Sequence, residues 1–319
     1  MLNSIYIERL YGLYDYMLDF TKGEEKRLKI ITGPNGYGKT TILQLIYALF
    51  CKDTDLFYLI PFSRVAFSID DYVIQVVQTR TVIQPDEESD LPGEEEIQIC
   101  FEMSAADQSS GNTVKSSDAR SEGKSEGIGG PLELVLNAMK CFYLTDKRVL
   151  LRNKEQRKRA ENADTDSSMI RLAEEVSKIK ARGDNERGIG FFQELVSFFK
   201  FADKEMMVDE RFGVRFKMNN ASKTIIPVTA LSSGEKHVLL QLFELVFEGK
   251  AGDLVMIDEP ELSFHPAWLN VYVSVLERIQ SFKMEEGRDM QIILATHSPM
   301  LVGGRWDETL DLYTLRKNG

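Results

Sequence analysis

Gly33-Pro34-Asn35-Gly36-Tyr37-Gly38-Lys39-Thr40 is the stretch on which the fold turns. Its spacing is G-x-x-x-x-G-K-[ST], and it is flanked by the context that this motif requires. Before it runs Leu28-Lys29-Ile30-Ile31-Thr32, a short β-branched segment, and after it apolar residues recur at helical spacing as Ile42, Leu45, Ile46 and Leu49. Strand, glycine-rich loop and helix are expected in that order. Glycines let backbone N–H groups turn toward phosphates, and the start of a helix adds the positive end of its dipole. Lys39 is expected to neutralise the β and γ phosphates and the Thr40 hydroxyl to ligate magnesium, with Thr41 beside it. ATP with Mg2+ is the expected ligand.

Working outward, the apolar run Leu254-Val255-Met256-Ile257 ends in Asp258-Glu259-Pro260. That places two carboxylates at the carboxyl end of a buried strand, where α/β sheets bind ligands. An Asp-Glu pair by itself is commonly a solvated turn. Beside a phosphate loop, Asp258 is expected to hold the magnesium through water and Glu259 to orient and deprotonate an attacking water. Leu231-Ser232-Ser233-Gly234-Glu235 lies 23 residues before Asp258, counted from Glu235, and precedes a helix. It reads either as a serine N-cap or as an anion site at a helix start built on Ser232, Gly234 and Glu235. His297 follows the last buried strand, Gln291 to Thr296. Alone it reads as a structural histidine, but it could also reach a γ-phosphate. Lys39, Glu259 and His297 form the expected catalytic set.

In this order the four elements resemble the ABC-type ATPase family, with Walker A at 33–40, the signature at 231–235, Walker B at 254–259 and the switch histidine at 297. The resemblance implies an α/β fold: an ABC-type P-loop NTPase with a mixed or parallel core sheet, an antiparallel β subdomain and a helical insertion. It also implies a head-to-tail homodimer or higher assembly, in which Ser232 and Gly234 act in trans while Asn35, Lys39, Thr40, Glu259 and His297 act in cis. Within the family, Asp258-Glu259-Pro260-Glu261-Leu262-Ser263-Phe264-His265-Pro266 resembles the D-E-P-E-x-x-x-H-P pattern of the DNA-linked branch. That branch includes SMC and repair proteins, the overcoming-lysogenization-defect nuclease, and Septu-type and retron-associated defence ATPases. Transporter subunits usually carry Ser-Ala-Leu-Asp there. Residues 5–15 likewise resemble the first strands of the defence and repair branch.

The resemblance therefore implies an ATPase subunit of a prokaryotic antiphage system, with a DNA-repair or SMC-like ATPase and a transporter energy subunit as the competing readings. Relatives of the lysogenization-defect type continue into a TOPRIM nuclease, whereas this sequence ends 22 residues after His297. Any effector such as a nuclease is thus expected to be a separate polypeptide, with DNA or retron-type RNA/DNA left open as a further partner. The family's Q-loop glutamine has no clear counterpart: Gln75, Gln78 and Gln98 lie in expected strands, and Arg148 stands nearest to the equivalent region.

The remaining sequence sets the organisation. Strands are expected at 2–10, 15–20, 62–83, 94–103 and 141–144, with a mobile loop over 104–130, where Ser, Gly, Asp, Glu and Lys displace large apolar residues. Helical spacing at Ile170, Leu172, Val176 and Ile179, and again over Phe191 to Phe201, follows the charge-dense run Arg152 to Arg159. Helices over 233–248 and 267–282 then alternate with the last buried strands. The expected organisation is an N-terminal nucleotide-binding lobe over 1–150, a helical insertion over 151–212, and a lobe over 213–319 that completes the same ATPase domain. A net charge of −11 argues against a surface basic throughout. Glu155 and Glu161 break the basic cluster, so a solvated helix face is favoured over a nucleic-acid contact. Cys51, Cys100 and Cys141 lack metal-type spacing and read as reduced thiols. The N-terminus has acidic and polar residues where a signal peptide needs a basic start, and no apolar run approaches the roughly 20 residues that span a bilayer. A soluble cytoplasmic protein with no membrane partner is expected.

Overall fold

The computed structural model describes residues 1–22, 28–83, 94–105, 114–119, 131–145, 150–151, 165–183, 185–201, 203–250, 252–285, 287 and 289–318. The described residues form a mixed α/β fold with parallel and antiparallel strand pairing, divided into two compact units. Unit 1 holds the described residues of 1–141 and 308–318, and unit 2 those of 142–151 and 155–307.

Unit 1 is built on β1 (Leu2–Leu10), where Ile5, Ile7 and Leu10 turn inward because strand side chains alternate. It pairs antiparallel with β2 (Tyr14–Asp19) on one side. β3 (Leu28–Thr32) is buried along its whole length and leads through the glycine loop into α1 (Lys39–Phe50). The short helix α2 (Asp55–Leu59) precedes β4 (Arg64–Ile69), which pairs with the other side of β1. Beyond β4 lie β5 (Tyr72–Ile83), β6 (Glu94–Ala105) and β7 (Val114–Ala119). The seven-stranded antiparallel sheet runs Lys317–Asn318, β2, β1, β4, β5, β6, β7. β3 instead pairs in parallel with Thr309–Asp311. The expected loop over 104–130 is corrected in part, because Val114 to Ala119 pair antiparallel with β6, Met103 facing Val114 and Gln98 facing Ala119. Backbone pairing onto an existing edge needs no apolar side chain, so composition gave no sign of it. Ser104 and Ala105 likewise close β6 as strand, paired with Val73 and Tyr72, whereas 106–113 and 120–130, like the basic run 152–159 and Arg148, lie outside the described residues. The helix α3 (Pro131–Asn137) follows.

In unit 2 the strand order is β14, β13, β8, β9, with β8 at Cys141–Leu144, β9 at Leu150–Leu151, β13 at Leu254–Asp258 and β14 at Gln291–Ala295. β13 and β14 are parallel, in register from Leu254 opposite Gln291 to Asp258 opposite Ala295, and every residue in both is buried. Such unbroken apolar strands are what a sheet covered on both faces requires. α4 (Thr165–Arg182) buries Met169, Leu172 and Val176, whereas Ile170, expected on that face, is 51% exposed. α5 (Glu186–Phe198) starts earlier than the apolar spacing implied, because the Asn185 side chain caps it by accepting from the Gly188 N–H at 3.0 Å. Three antiparallel strands follow, β10 (Lys204–Asp209), β11 (Gly213–Met218) and β12 (Ile225–Pro227). α6 (Ser233–Phe243) runs into a single π turn over Glu244–Glu248 instead of continuing as α-helix. α7 (Pro266–Met284) has Pro266 in its first turn, where its missing N–H costs nothing, and α8 (Pro299–Val302) is a single short turn. No helix among the described residues is long and apolar enough to cross a membrane.

The close approach of α4 to β11 rests on Gly213. Its φ is +64°, and a Cβ there would meet the Ala173 carbonyl oxygen at 1.8 Å. Gly213→Ala is expected to destabilise the protein by about 3 kcal/mol through strain and backbone clash, read as a lower urea midpoint at unchanged slope.

Candidate functional site

In unit 1 the glycine loop has the geometry of an oligophosphate cradle. Gly33, Gly36 and Gly38 have φ of 146°, 85° and 88°, conformations in which a Cβ is strained. A Cβ would also be crowded at two of them, 3.1 Å from Leu312 Cβ at Gly33 and 2.9 Å from the tip of Leu10, Cδ2, at Gly38. Gly38 is the N-cap of α1 and supplies no side-chain cap, so the positive end of the helix dipole faces the loop. Pro34, Asn35 and Gly36 are exposed. Lys39 is buried, and its ammonium donates to the carbonyls of Gly33 at 3.0 Å and Pro34 at 3.3 Å. That bond arches the loop over the lysine. The residue types and backbone orientation fit a triphosphate.

A set of aromatic residues braces this loop. The buried Tyr16 hydroxyl donates to the Tyr37 carbonyl at 2.9 Å, and burial pushes the Tyr16 phenol well above the ordinary tyrosine range, keeping it a donor. Tyr37 stacks on Tyr14 at 5.6 Å, while the Arg316 guanidinium donates to the Tyr37 hydroxyl at 3.0 Å and lies 4.7 Å from the Tyr313 ring centre. The Tyr11 hydroxyl and Thr41 Oγ1 are 3.1 Å apart. Sequence patterns did not single out Tyr14, Tyr16, Tyr313 or Arg316; an excess of tyrosine on either side of the loop in unit 1 was the only available sign.

In unit 2 Asp258, Glu259 and His297 come together at the carboxyl ends of β13 and β14. Asp258 is 1% exposed and its Oδ2 accepts from the Tyr143 hydroxyl at 3.0 Å. Glu259 leaves the strand in the left-handed region, φ 42° and ψ 56°, directly before a proline. Such a conformation costs on the order of 1–3 kcal/mol and persists only where surroundings enforce it. The Glu259 N–H donates to the Ala295 carbonyl at 2.9 Å, the last bond of the β13–β14 ladder, and holds the residue at the strand end. His297 Nδ1 then lies 3.4 Å from Glu259 Oε1.

Ser232, Gly234 and Glu235 lie in a separate cleft of unit 2, of about 860 Å³, whose walls include Phe199, Phe264 and Trp268. Ser232 forms a reciprocal capping box with Glu235: its N–H donates to Glu235 Oε2 at 2.8 Å and its Oγ accepts from the Glu235 N–H at 3.4 Å. Glu235 is 4% exposed and its Oε1 accepts from Lys204 at 2.7 Å. Burial alone would raise its pKa, but the bonds from Lys204 and Ser232 outweigh that and hold it below the ordinary value. Glu235 therefore fixes the start of α6, and the exposed Ser232 and Ser233 face the cleft.

Residues 29–303 match the family described as AAA domain, putative AbiEii toxin, Type IV TA system. The chain belongs to that family. This AAA-domain membership supports an ABC-type P-loop ATPase domain. Similar solved structures include an Smc head domain from Pyrococcus furiosus with an extended coiled coil, bound to the C-terminal domain of ScpA. It shows 12% identity and a TM-score of 0.44, covering 94% of this chain and 90% of that one. Another is cbiO1 from Clostridium perfringens, part of the ABC transporter complex cbiONQ, with 13% identity, a TM-score of 0.40, and 93% and 80% coverage. A third is an ATP binding subunit of an ABC transporter, with 17% identity, a TM-score of 0.39, and 95% and 82% coverage. No curated protein matches the sequence.

Gln78 of this AAA-domain chain is structural. It is 6% exposed, its amide donates to the carbonyls of Phe57 and Ile60, and its oxygen accepts from the Phe62 N–H at 3.1 Å. The acidity of Glu235 gives a test of the cleft. A carboxyl held below its ordinary value near 4.5 stabilises the fold above that pH, and the contribution is lost as pH falls through the lower folded value. Glu235→Gln is expected to lower the urea midpoint at neutral pH and to flatten its decline below about pH 4.5.

Proposed function

We propose that this chain is the ATP-binding and hydrolysing subunit of a prokaryotic antiphage or toxin–antitoxin-type system, working through ATP-dependent pairing of two copies and controlling a separately encoded effector such as a nuclease. The observation that carries the ATPase reading is the strained Glu259 at the end of β13 with His297 at 3.4 Å, in a chain that also carries the glycine cradle. Gly33 and Asn35 to Thr41 would hold a triphosphate through backbone N–H groups, with Lys39 leaving its carbonyl partners for the phosphates; the Thr40 hydroxyl is the magnesium ligand that unit 1 would offer and Asp258 the one that unit 2 would offer. Magnesium, when bound, neutralises charge on the phosphates. Glu259 orients the attacking water and takes its proton, and His297 stabilises the transferred γ-phosphoryl group.

Pairing of two copies is supported by the exposed start of α6. Ser232 and Ser233 stand at a capped helix N-terminus in an open cleft, the surface that would meet a phosphate held by a second copy. The biological setting is supported by the D-E-P-E-x-x-x-H-P segment at 258–266 and by the toxin named in the family's description.

Glu259→Gln is expected to keep ATP affinity, lower turnover by about 10²–10⁴-fold, and trap an ATP-dependent dimer visible by sedimentation, because only the proton acceptor is removed. Hydrolysis unchanged by Glu259→Gln would overturn the assignment. Lys39→Ala is expected instead to abolish nucleotide binding measured by calorimetry.

A further inference from the structure

Glu261 is the second acidic residue after β13, and the proposed chemistry gives it no task. Its side chain is 6% exposed. A buried carboxylate is costly unless bonded, and here the bonds all run to one loop. Glu261 Oε1 accepts from the Thr296 hydroxyl at 2.6 Å and from the His297 backbone N–H at 2.9 Å. The same oxygen lies 3.2 Å from His297 Nδ1. Thr296 Oγ1 in turn accepts from the Ser298 N–H at 2.9 Å. Residues 296–298 thus hang on a single carboxylate, while Glu261 Oε2 is buried with no hydrogen-bond partner among the described residues.

The turn that delivers Glu261 is the strained one. Left-handed Glu259 and the fixed φ of Pro260 reverse the chain into the short 3-10 turn Pro260–Ser263, closed by the Leu262 N–H to Glu259 carbonyl bond at 3.2 Å. This reversal brings the Glu261 side chain back to the end of β14. His297 Nδ1 then faces two carboxylate oxygens, Glu261 Oε1 at 3.2 Å and Glu259 Oε1 at 3.4 Å. Two acceptors on one side of an imidazole place a proton on Nδ1 and leave Nε2, on the opposite edge of the ring, for a ligand.

We infer that Glu261 is the positioning residue for His297: its carboxylate fixes both the backbone of the histidine loop and the Nδ1–H tautomer, so that Nε2 is the nitrogen offered to substrate. The inference rests on the ATPase reading for its consequence, but not for its geometry. Glu261 acts through His297 alone.

The test has a spectroscopic arm and a kinetic arm. In protein labelled with 15N-histidine, long-range 1H–15N correlation reports the tautomer of each of the three histidines, and His297→Gln assigns the signal of His297. Wild-type His297 is expected to show a protonated Nδ1, and Glu261→Ala to shift that signal toward the Nε2–H form while those of His237 and His265 stay in place. Glu261→Ala is expected to lower kcat by about 10²-fold with KM for ATP within about 2-fold, the cost of a misplaced catalytic group. Glu261→Gln keeps an acceptor oxygen for Thr296 and the His297 N–H, and is expected to recover most of kcat. An unchanged His297 signal in folded Glu261→Ala would overturn the inference, as would a Glu261→Gln variant no better than Glu261→Ala. A wild-type chain with no ATP turnover would sink the function reading instead, and the histidine spectrum would still decide the role of Glu261.

Discussion

The hydrogen bond from the Glu259 N–H to the Ala295 carbonyl is the interaction on which the chemistry of unit 2 depends. β13 and β14 are parallel and in register, so their carboxyl ends finish level with one another. A residue before proline prefers the extended direction, which Glu259 does not take. The bond holds the Glu259 nitrogen at the strand end, and from there the left-handed Glu259 turns Pro260 and Glu261 back across the strand ends. Burial of Leu254, Val255, Met256 and Ile257, each worth roughly 1.5–3 kcal/mol, anchors the strand firmly enough to sustain that strain. Packing energy in the sheet is thereby converted into fixed positions for Glu259 and His297.

The parts of the fold legible in sequence are those whose signal is local. β13 and β14 carry the apolar runs Leu254–Ile257 and Ile292–Ala295, β3 carries Ile30-Ile31 ahead of the loop, and the glycine loop announces itself by spacing, so the mixed α/β fold followed from them. β7 was missed because Ser, Asp and Lys pair through the backbone as well as valine does when a neighbouring strand offers a free edge. Ile170 was placed on the wrong face because Met169 takes the buried position beside it. In the candidate site, Glu259 and His297 each stood out as neighbours of a strand end. The bond that joins Glu261 to His297 spans 36 positions, and no pattern within either segment foretells it. Glu235 was expected among ligand-binding residues, whereas in the fold its carboxylate is spent on Lys204 and Ser232.

The tyrosine-rich brace on the glycine loop shows the same limit from the other side. Tyr37 is a residue of the loop itself, yet its ring is held by Tyr14 and by Arg316, which lies 279 positions away. Thr309–Asp311 beside β3 and Lys317–Asn318 beside β2 carry Tyr313 and Arg316 to that place. The loop's shape is set by strand pairing as much as by its own glycines.

The left-handed backbone of Glu259 also sets stability and activity against each other at a single codon. Glycine, or asparagine, would relax that conformation, so a screen that rewards heat tolerance alone would favour them and discard the proton acceptor along with the strain. Thermal hardening of this chain by directed evolution therefore has to hold position 259 fixed, and the same argument makes an acidic residue retained there in any heat-selected pool a mark of selection for turnover.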